Sequence, residues 1–344
     1  MTIITLKNGD KIGNNQQPYF IAEVNSSHNG NVETAKEMCK QAKEAGCHCV
    51  KFQSWSAESL YSKSYYEKNP IAKRIVQKFA ISPDDLKDIA LYCKEIGIAF
   101  SSTPYCEKEV DFLVNECQAP FIKIASMEIN NYDYLRYIAK KNIPLILSTG
   151  MAEADEVRKA IKVIEETGNK QLILLHCISI YPAAPETIHL NNILWLKEEF
   201  PEYPIGFSDH TLGTEIACGA VALGANVVEK HFTLDKTKMG MDNNMAIEPE
   251  EMKILTQNCV NVYKALGSKD RIVSEAEYKQ RENMRRSVVA AKDLVKGTVL
   301  TKADLILKRP GTGISADKID SVIGKKLIND IEADKLILES DIER

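Results

Sequence analysis

Two histidines, His210 and His231, follow or close two successive short apolar runs, PIGFSD (204–209) and VVEKHF (227–232), with an apolar helical pattern between them. If those runs are adjacent parallel strands, both rings reach the same rim. A pair of neutral imidazoles suits a divalent ion that keeps positions open for water and substrate oxygens, a Lewis-acid arrangement rather than a closed structural site. Plain hydrogen-bonding histidines are the alternative. Two lysines, Lys51 in CVKFQS and Lys123 in FIKIAS, interrupt apolar runs. An ammonium there is costly unless an anion or carboxylate compensates it. With the hydroxyls of Ser102, Ser126, Ser148, Thr149, Ser179 and Ser208 and the amide of Gln53, the lysines would make a pocket for phosphate and carboxylate. An internal ion pair of Lys51 with Glu23, or a desolvated Schiff-base lysine, remains open on these residues alone.

The elements that must hold these groups recur with a rhythm. YFIAEV (19–24), CVKFQS (49–54), IAFSST (98–103), FIKIAS (121–126), PLILSTG (144–150), LILLHCIS (172–179), PIGFSD and VVEKHF read as strands, and amphipathic helical patterns lie between most of them. Eight such alternations predict an α/β fold, a (β/α)₈ TIM barrel, whose strand carboxyl ends share one mouth. Glu23, Lys51, Gln53, Ser101, Ser102, Thr103, Lys123, Ser126, Glu128, Ser148, Thr149, Ser179, Tyr181, Ser208, Asp209, His210, Lys230 and His231 all fall at those ends. Residues 55–83 form a long insertion after the second strand, placed either to cover the mouth or merely to decorate it. The barrel is expected over residues 1–267, a polar connector over 268–284, and a small, mostly β domain over 285–344. In that domain "KDLVKGTVLTKADL" and "NDIEADKLILESDI" echo each other through Asp293/Asp304 and Asp330/Asp341.

Composition narrows the partners. Lys and Arg total 44 against 48 for Asp and Glu, a formal net charge of −4, which gives no reason to expect nucleic acid. The start, MTIITLKNGDKIG, lacks a signal-peptide pattern and no long apolar span follows, so a cytoplasmic protein with no membrane attachment is expected. Nine scattered cysteines without a C-x-x-C read as reduced thiols. In Cys47-His48-Cys49, strand alternation sets His48 opposite both sulfurs, against a metal clip.

The motifs "IAEVNSSHNG", "VKFQS", "SSTPY", "FIKIASMEINN", "ILSTGMA", "LLHCISIYPA", "GFSDHT", "GAVALGANVVEKHFTLDK", "RRSVVAAKDLVKGTVL" and "KRPGTGIS", in that order, resemble the sialic acid synthase family. That family condenses phosphoenolpyruvate with an N-acetylated mannosamine-type sugar. The resemblance implies that His210 and His231 hold Mn²⁺ or Mg²⁺. It implies that Lys51, Lys123 and the strand-end hydroxyls bind phosphoenolpyruvate. Glu23, Glu128, Tyr181 and Asp242 would surround the sugar, with Glu23 or Asp242 handling a proton. The small domain resembles the antifreeze-like (SAF) module, and Arg309 would reach the sugar's N-acyl group across a domain-swapped homodimer. Where the family typically reads GPDH this chain has Gly240-Met241-Asp242-Asn243, and where it reads Glu-Ile-Gly-x-Asn-His it has Glu23-Val24-Asn25-Ser26-Ser27-His28. Met241, Asn243 and Ser27 change groups expected near the sugar, which opens legionaminic- and pseudaminic-type acceptors beside N-acetylmannosamine. A synthase for phosphorylated aldoses would need a second basic cluster. A metal-dependent barrel aldolase or hydrolase would carry more carboxylate or histidine ligands, and a carbohydrate- or ice-binding role would rest on the small domain alone.

Overall fold

A computed structural model of the chain describes residues 2–343, which divide after Gly267 into two compact units. The first unit opens with an antiparallel hairpin, β1 (Ile3–Thr5) and β2 (Lys11–Gly13). Eight parallel strands follow: β3 (Tyr19–Glu23), β4 (Cys49–Gln53), β5 (Ala99–Thr103), β6 (Ile122–Ile124), β7 (Leu145–Ser148), β8 (Leu172–Cys177), β9 (Ile205–Asp209) and β10 (Val227–His231). Their hydrogen-bonded order is β5-β4-β3-β10-β9-β8-β7-β6. At the remaining seam Ser101 Oγ donates to the carbonyl of Phe121 at 2.9 Å, so the two end strands meet and the sheet closes.

Because side chains alternate across a strand, each one contributes to two different cores. Phe20, Phe52, Phe100, Leu145, Leu147, Leu172, Leu174, Phe207 and Val228 point outward and pack under the helices. Tyr19, Ile21, Cys49, Phe121, Ile146, Ile173, Leu175 and Val227 point inward and fill the amino-terminal end of the barrel. Ile4, Leu6 and Ile12 of the β1–β2 hairpin join that inner cluster and plug the floor. The packing is tight enough that a Cβ on Gly206 would come 2.6 Å from Leu175 Cδ2 and 2.7 Å from Val227 Cβ, which reserves that position for glycine. Above this layer the inward positions turn polar on strand after strand.

The helices carry ordinary end signals. Asn31 accepts from the N–H of Thr34 at 2.8 Å to start helix Val32–Glu44. Ser82 and Pro83 begin helix Pro83–Ile96, and Gly97 ends it in a left-handed turn with φ 72°. The insertion between β4 and that helix is helical rather than irregular, with segments Ala57–Leu60, Lys63–Lys68 and Pro70–Phe79 around a core of Trp55, Ala57, Tyr66, Val76 and Phe79. His48 accepts from the N–H of Phe20 at 3.0 Å and stacks on Tyr19, while all nine cysteines are free thiols.

The second unit begins with helix Glu275–Met284, which buries no side chain and occupies most of the stretch expected to be a polar connector. Strands β11 (Ser287–Ala290) and β12 (Leu305–Lys308) pair antiparallel, and isolated bridges hold the rest around Val288, Leu294, Leu300, Ile331 and Ile337. The internal echo is structural. Leu294 and Ile331 exchange backbone hydrogen bonds at 2.8 Å each, Asp293 accepts from the N–H of Ala333 at 2.7 Å, and Asp330 accepts from the N–H of Lys296 at 2.6 Å. Asp304 and Asp341 each accept from the backbone N–H three residues earlier, so the two copies clasp each other reciprocally.

Candidate active site

Inward parity brings Glu23, Lys51, Thr103, Lys123, Ser148, Cys177, Ser208, Glu229 and His231 into one polar layer directly above the apolar floor. Lys123 Nζ donates to Ser148 Oγ at 2.7 Å and lies 3.6 Å from Glu229. Lys51 pairs with Glu23, lies 3.9 Å from Glu229, and donates to Thr103 Oγ1 at 3.1 Å. Ser208 Oγ donates to Glu229 at 3.0 Å. Burial works against Glu229 ionising, but Lys123 and Lys51 outweigh it and hold its carboxyl below the usual range. Burial likewise lowers Lys123, whereas for Lys51 the burial penalty is overcome by Glu229 and Glu23, which raise it. Glu23 is pushed up by burial in spite of Lys51. The arrangement therefore favours the carboxylate of Glu229 between two lysines and disfavours that of Glu23 by burial.

Glu23 is also held by its neighbours. Its Oε1 accepts from the N–H of Asn25 at 3.0 Å and from Gln53 Nε2 at 3.1 Å. Gln53 Oε1 in turn accepts from Trp55 Nε1 at 3.1 Å and Tyr105 OH at 2.7 Å. Gln53, expected in the phosphoenolpyruvate pocket, is thus a link between the insertion's aromatic core and Glu23. Ser126 Oγ accepts from the N–H of Gly150 at 3.0 Å, and a Cβ on Gly150 would meet Ser179 Oγ at 2.5 Å and Ser126 Oγ at 2.8 Å, so these two hydroxyls converge over a glycine. Glu128 accepts from Asn131 Nδ2 at 2.8 Å within its own loop.

His210 and His231 do meet, their ring centroids 5.3 Å apart, with the half-exposed ring of Tyr181 4.2 Å from the first and 6.0 Å from the second. His210 Nδ1 sits 2.7 Å from the carbonyl of Ile178, which fixes Nδ1–H and leaves Nε2 as the free donor atom. Burial disfavours the His210 imidazolium, but Cys177, 3.9 Å from Nδ1, and the Ile178 carbonyl raise it on balance. The carbonyl, being the shorter contact, decides the tautomer. Burial and the neighbouring cations keep His231 neutral, well below its ordinary value. Asp242 Oδ2 stands 3.8 Å from His231 Nδ1, and burial raises its carboxyl. Two imidazoles whose rings lie this close fit a divalent ion as a partial ligand set. No cluster of three or more protein ligands exists among the described residues, so the pair would leave most of a coordination shell to other oxygens.

Several positions differ from expectation. Ser102 has the parity of Phe100 and faces outward against Ser54, 2.5 Å away, so the inward hydroxyl of β5 beside Lys51 is Thr103. Thr149, one residue past Ser148, donates to the Leu175 carbonyl at 3.0 Å and lines a cavity with His176 and Trp195. Asp209 and Lys230 likewise point away from the mouth and pair at 2.8 Å. Ser27 Oγ donates to Asn243 Oδ1 at 2.5 Å, and the Met241 N–H donates to Ser26 Oγ at 2.9 Å. With Asn25 donating to Asp242, residues 25–27 zip against 241–243, so Ser27 and Asn243 bond each other and steady Asp242. Arg309 belongs to the second unit, in the turn after β12, beside Asp334 and Lys335. Glu229 and Cys177 are site residues that sequence reasoning passed over, although their parity with His231 and Leu175 places them inward.

A family model described as NeuB family matches residues 38–271, and one described as SAF domain matches residues 285–343. The chain belongs to the NeuB family. It is 39% identical to the N,N'-diacetyllegionaminic acid synthase of Legionella pneumophila over 96% of both chains. To the N-acetylneuraminate-9-phosphate synthase of Homo sapiens it is 33% identical, over 97% of this chain and 95% of the other. Among solved structures, the N-acetylneuraminic acid synthetase of Leptospira borgpetersenii, crystallised with citrate, superposes with a TM-score of 0.75 at 32% identity, covering 81% of this chain and 95% of that one. The NeuB match falls within the barrel and its following residues, and the SAF match within the second unit.

Proposed function

We propose that this NeuB-family chain condenses phosphoenolpyruvate with an open-chain, N-acylated mannosamine-type sugar, giving a nonulosonic acid and phosphate, and that its acceptor is the twice-acetamidated, legionaminic type. The observation that carries the reaction is the polar layer in which Lys51 and Lys123 flank Glu229, with His231 in the same layer and His210 against it. Its two buried ammoniums and inward hydroxyls suit a small ligand bearing both phosphate and carboxylate. Support for the acceptor is the 39% identity to the diacetyllegionaminic acid synthase against 33% to the neuraminate-9-phosphate synthase.

In this reading Lys51, Lys123, Thr103, Ser126, Ser148, Ser179 and Ser208 bind phosphoenolpyruvate, and Tyr181 and Asp242 orient the sugar. Mn²⁺ or Mg²⁺ held by His210 and His231 supplies Lewis acidity at the sugar's carbonyl oxygen. A bond forms between C3 of phosphoenolpyruvate and the carbonyl carbon, water adds at C2, and phosphate departs with C–O cleavage. Glu23, pushed up by burial and oriented by Gln53 and Asn25, takes the proton of that water. The protein works in the cytoplasm, where nine unpaired thiols suit a reducing medium, and as a homodimer in which Arg309 serves the partner's sugar. Exposed Met127, Met151, Ile180, Leu212 and Met239, all on loops after the barrel strands, give such a partner an apolar rim to cover.

Phosphate release from phosphoenolpyruvate, measured with Mn²⁺ and a panel of N-acetylmannosamine, its 6-phosphate and the diacetamido 6-deoxy sugar, tests the reading. Fastest release with the diacetamido sugar, abolished by chelator and by His210→Ala or His231→Ala in folded protein, is the expected result. No release with any sugar would overturn it.

A further inference from the structure

We infer that Asp209 and Lys230 form a positioning pair that sets His210 and His231 at the spacing a divalent ion needs; this rests on the proposed metal-binding role of the two histidines. Each member of the pair is the immediate chain neighbour of one histidine, and the two face each other across adjacent strands in register. Both are essentially inaccessible, at 0% and 1% exposure, yet both lie on the outer side of the barrel, away from the polar layer.

Every polar atom of the pair is committed. Lys230 Nζ donates to Asp209 Oδ2 at 2.8 Å and to the Thr211 carbonyl at 2.6 Å. Asp209 Oδ1 accepts from the Thr211 N–H at 2.9 Å and from Thr211 Oγ1 at 2.7 Å. The turn 209–211, with His210 at its centre, is therefore tied at both ends to the residue preceding His231. The His210 carbonyl adds a bond from the Ala183 N–H at 2.9 Å, and the His231 carbonyl one from the Ile247 N–H at 2.9 Å. Asp209 is excluded as a ligand itself, because both its oxygens are spent and point the other way.

Stability alone does not account for the pair. Removing two charges from water costs about as much as their attraction returns, and apolar residues of similar volume serve a core at least as well. What an ion pair adds is a fixed geometry between the two strand ends. Groups that orient metal ligands in this way are worth roughly 10- to 100-fold in metal affinity.

The test uses the full chain stripped of metal and titrated with Mn²⁺, free ion being read by electron paramagnetic resonance. The double variant Asp209→Leu, Lys230→Met should fold, with a melting temperature lowered only by the Thr211 groups it leaves unpaired, bind phosphoenolpyruvate as wild type does, and bind Mn²⁺ about tenfold more weakly. Asp209→Asn, which keeps the shape and removes the charge, should weaken Mn²⁺ in the same direction and decides the matter if the double variant does not fold. Wild-type Mn²⁺ affinity in a folded variant that lacks the pair, while His231→Ala loses the ion, would overturn the inference. Equal Mn²⁺ binding by wild type and His231→Ala would instead overturn the metal reading on which it rests.

Discussion

Glu229 stands between Lys123 and Lys51 with 6% of its side chain exposed, and its Oε1 carries both contacts together with the bond from Ser208. Neutralising it leaves two buried ammoniums sharing Glu23 alone. Glu229→Gln is expected to lower unfolding free energy by about 3–5 kcal/mol, read from urea denaturation at pH 7. The pH dependence follows from the direction of its shift. Its folded value lies below the unfolded one, near 4.3, so its contribution is present above that pH and lost as pH falls through the folded value. Wild type should therefore lose stability below about pH 4 that Glu229→Gln does not lose. The lysines, histidines and most hydroxyls of this site were legible because polar residues in apolar strands stand out. Glu229 was not, because it sits beside Lys230 and His231, where a charged residue looks like part of a polar strand end. Counting parity from Val227 separates them, and the same count moves Ser102 and Thr149 to the outside.

The eight barrel strands could be read from composition and spacing, since each is a β-rich apolar run closed by a polar end. The β1–β2 hairpin could not: its strands are three residues each, and Ile4, Leu6 and Ile12 find their pattern only against the inner faces of other strands. The insertion was legible as a long segment but not as helices, because pieces of 4 to 10 residues depend on tertiary packing rather than on propensity. Its structure gives it a role beyond cover. Trp55 and the neighbouring Tyr105 saturate Gln53 Oε1, which turns the amide's N–H toward Glu23. Replacing both donors by phenylalanine keeps the aromatic core and lets that amide turn. Loss of two bonds of about 1 kcal/mol each lowers the melting temperature of the folded variant, and the freed amide predicts a fall of roughly 10- to 30-fold in kcat with KM for phosphoenolpyruvate unchanged. A change confined to KM would place Gln53 in substrate binding instead.

The two units and the reciprocal repeat within the second were foreshadowed by the change of pattern after Gly267 and by the spaced aspartates. The proposed pairing of subunits leaves no such periodic mark, since a rim of single exposed apolar side chains has no repeat. It is open to experiment by mixing Arg309→Ala protein with a His231→Ala partner. If the site is shared as proposed, each subunit lacks a different half of it, so exchange should restore about a quarter of wild-type activity in a random mixture, and no recovery would mean that Arg309 acts in its own subunit. The plug at the bottom of the barrel sets the traffic of the reaction. A chamber with one door fills from the back, so in the proposed reaction phosphoenolpyruvate, taken by the deepest charges, would enter before the sugar and could not leave past it. Initial-rate kinetics should be sequential and ordered, and an inert sugar analogue should be uncompetitive against phosphoenolpyruvate, whereas a barrel open at both ends would leave the order free.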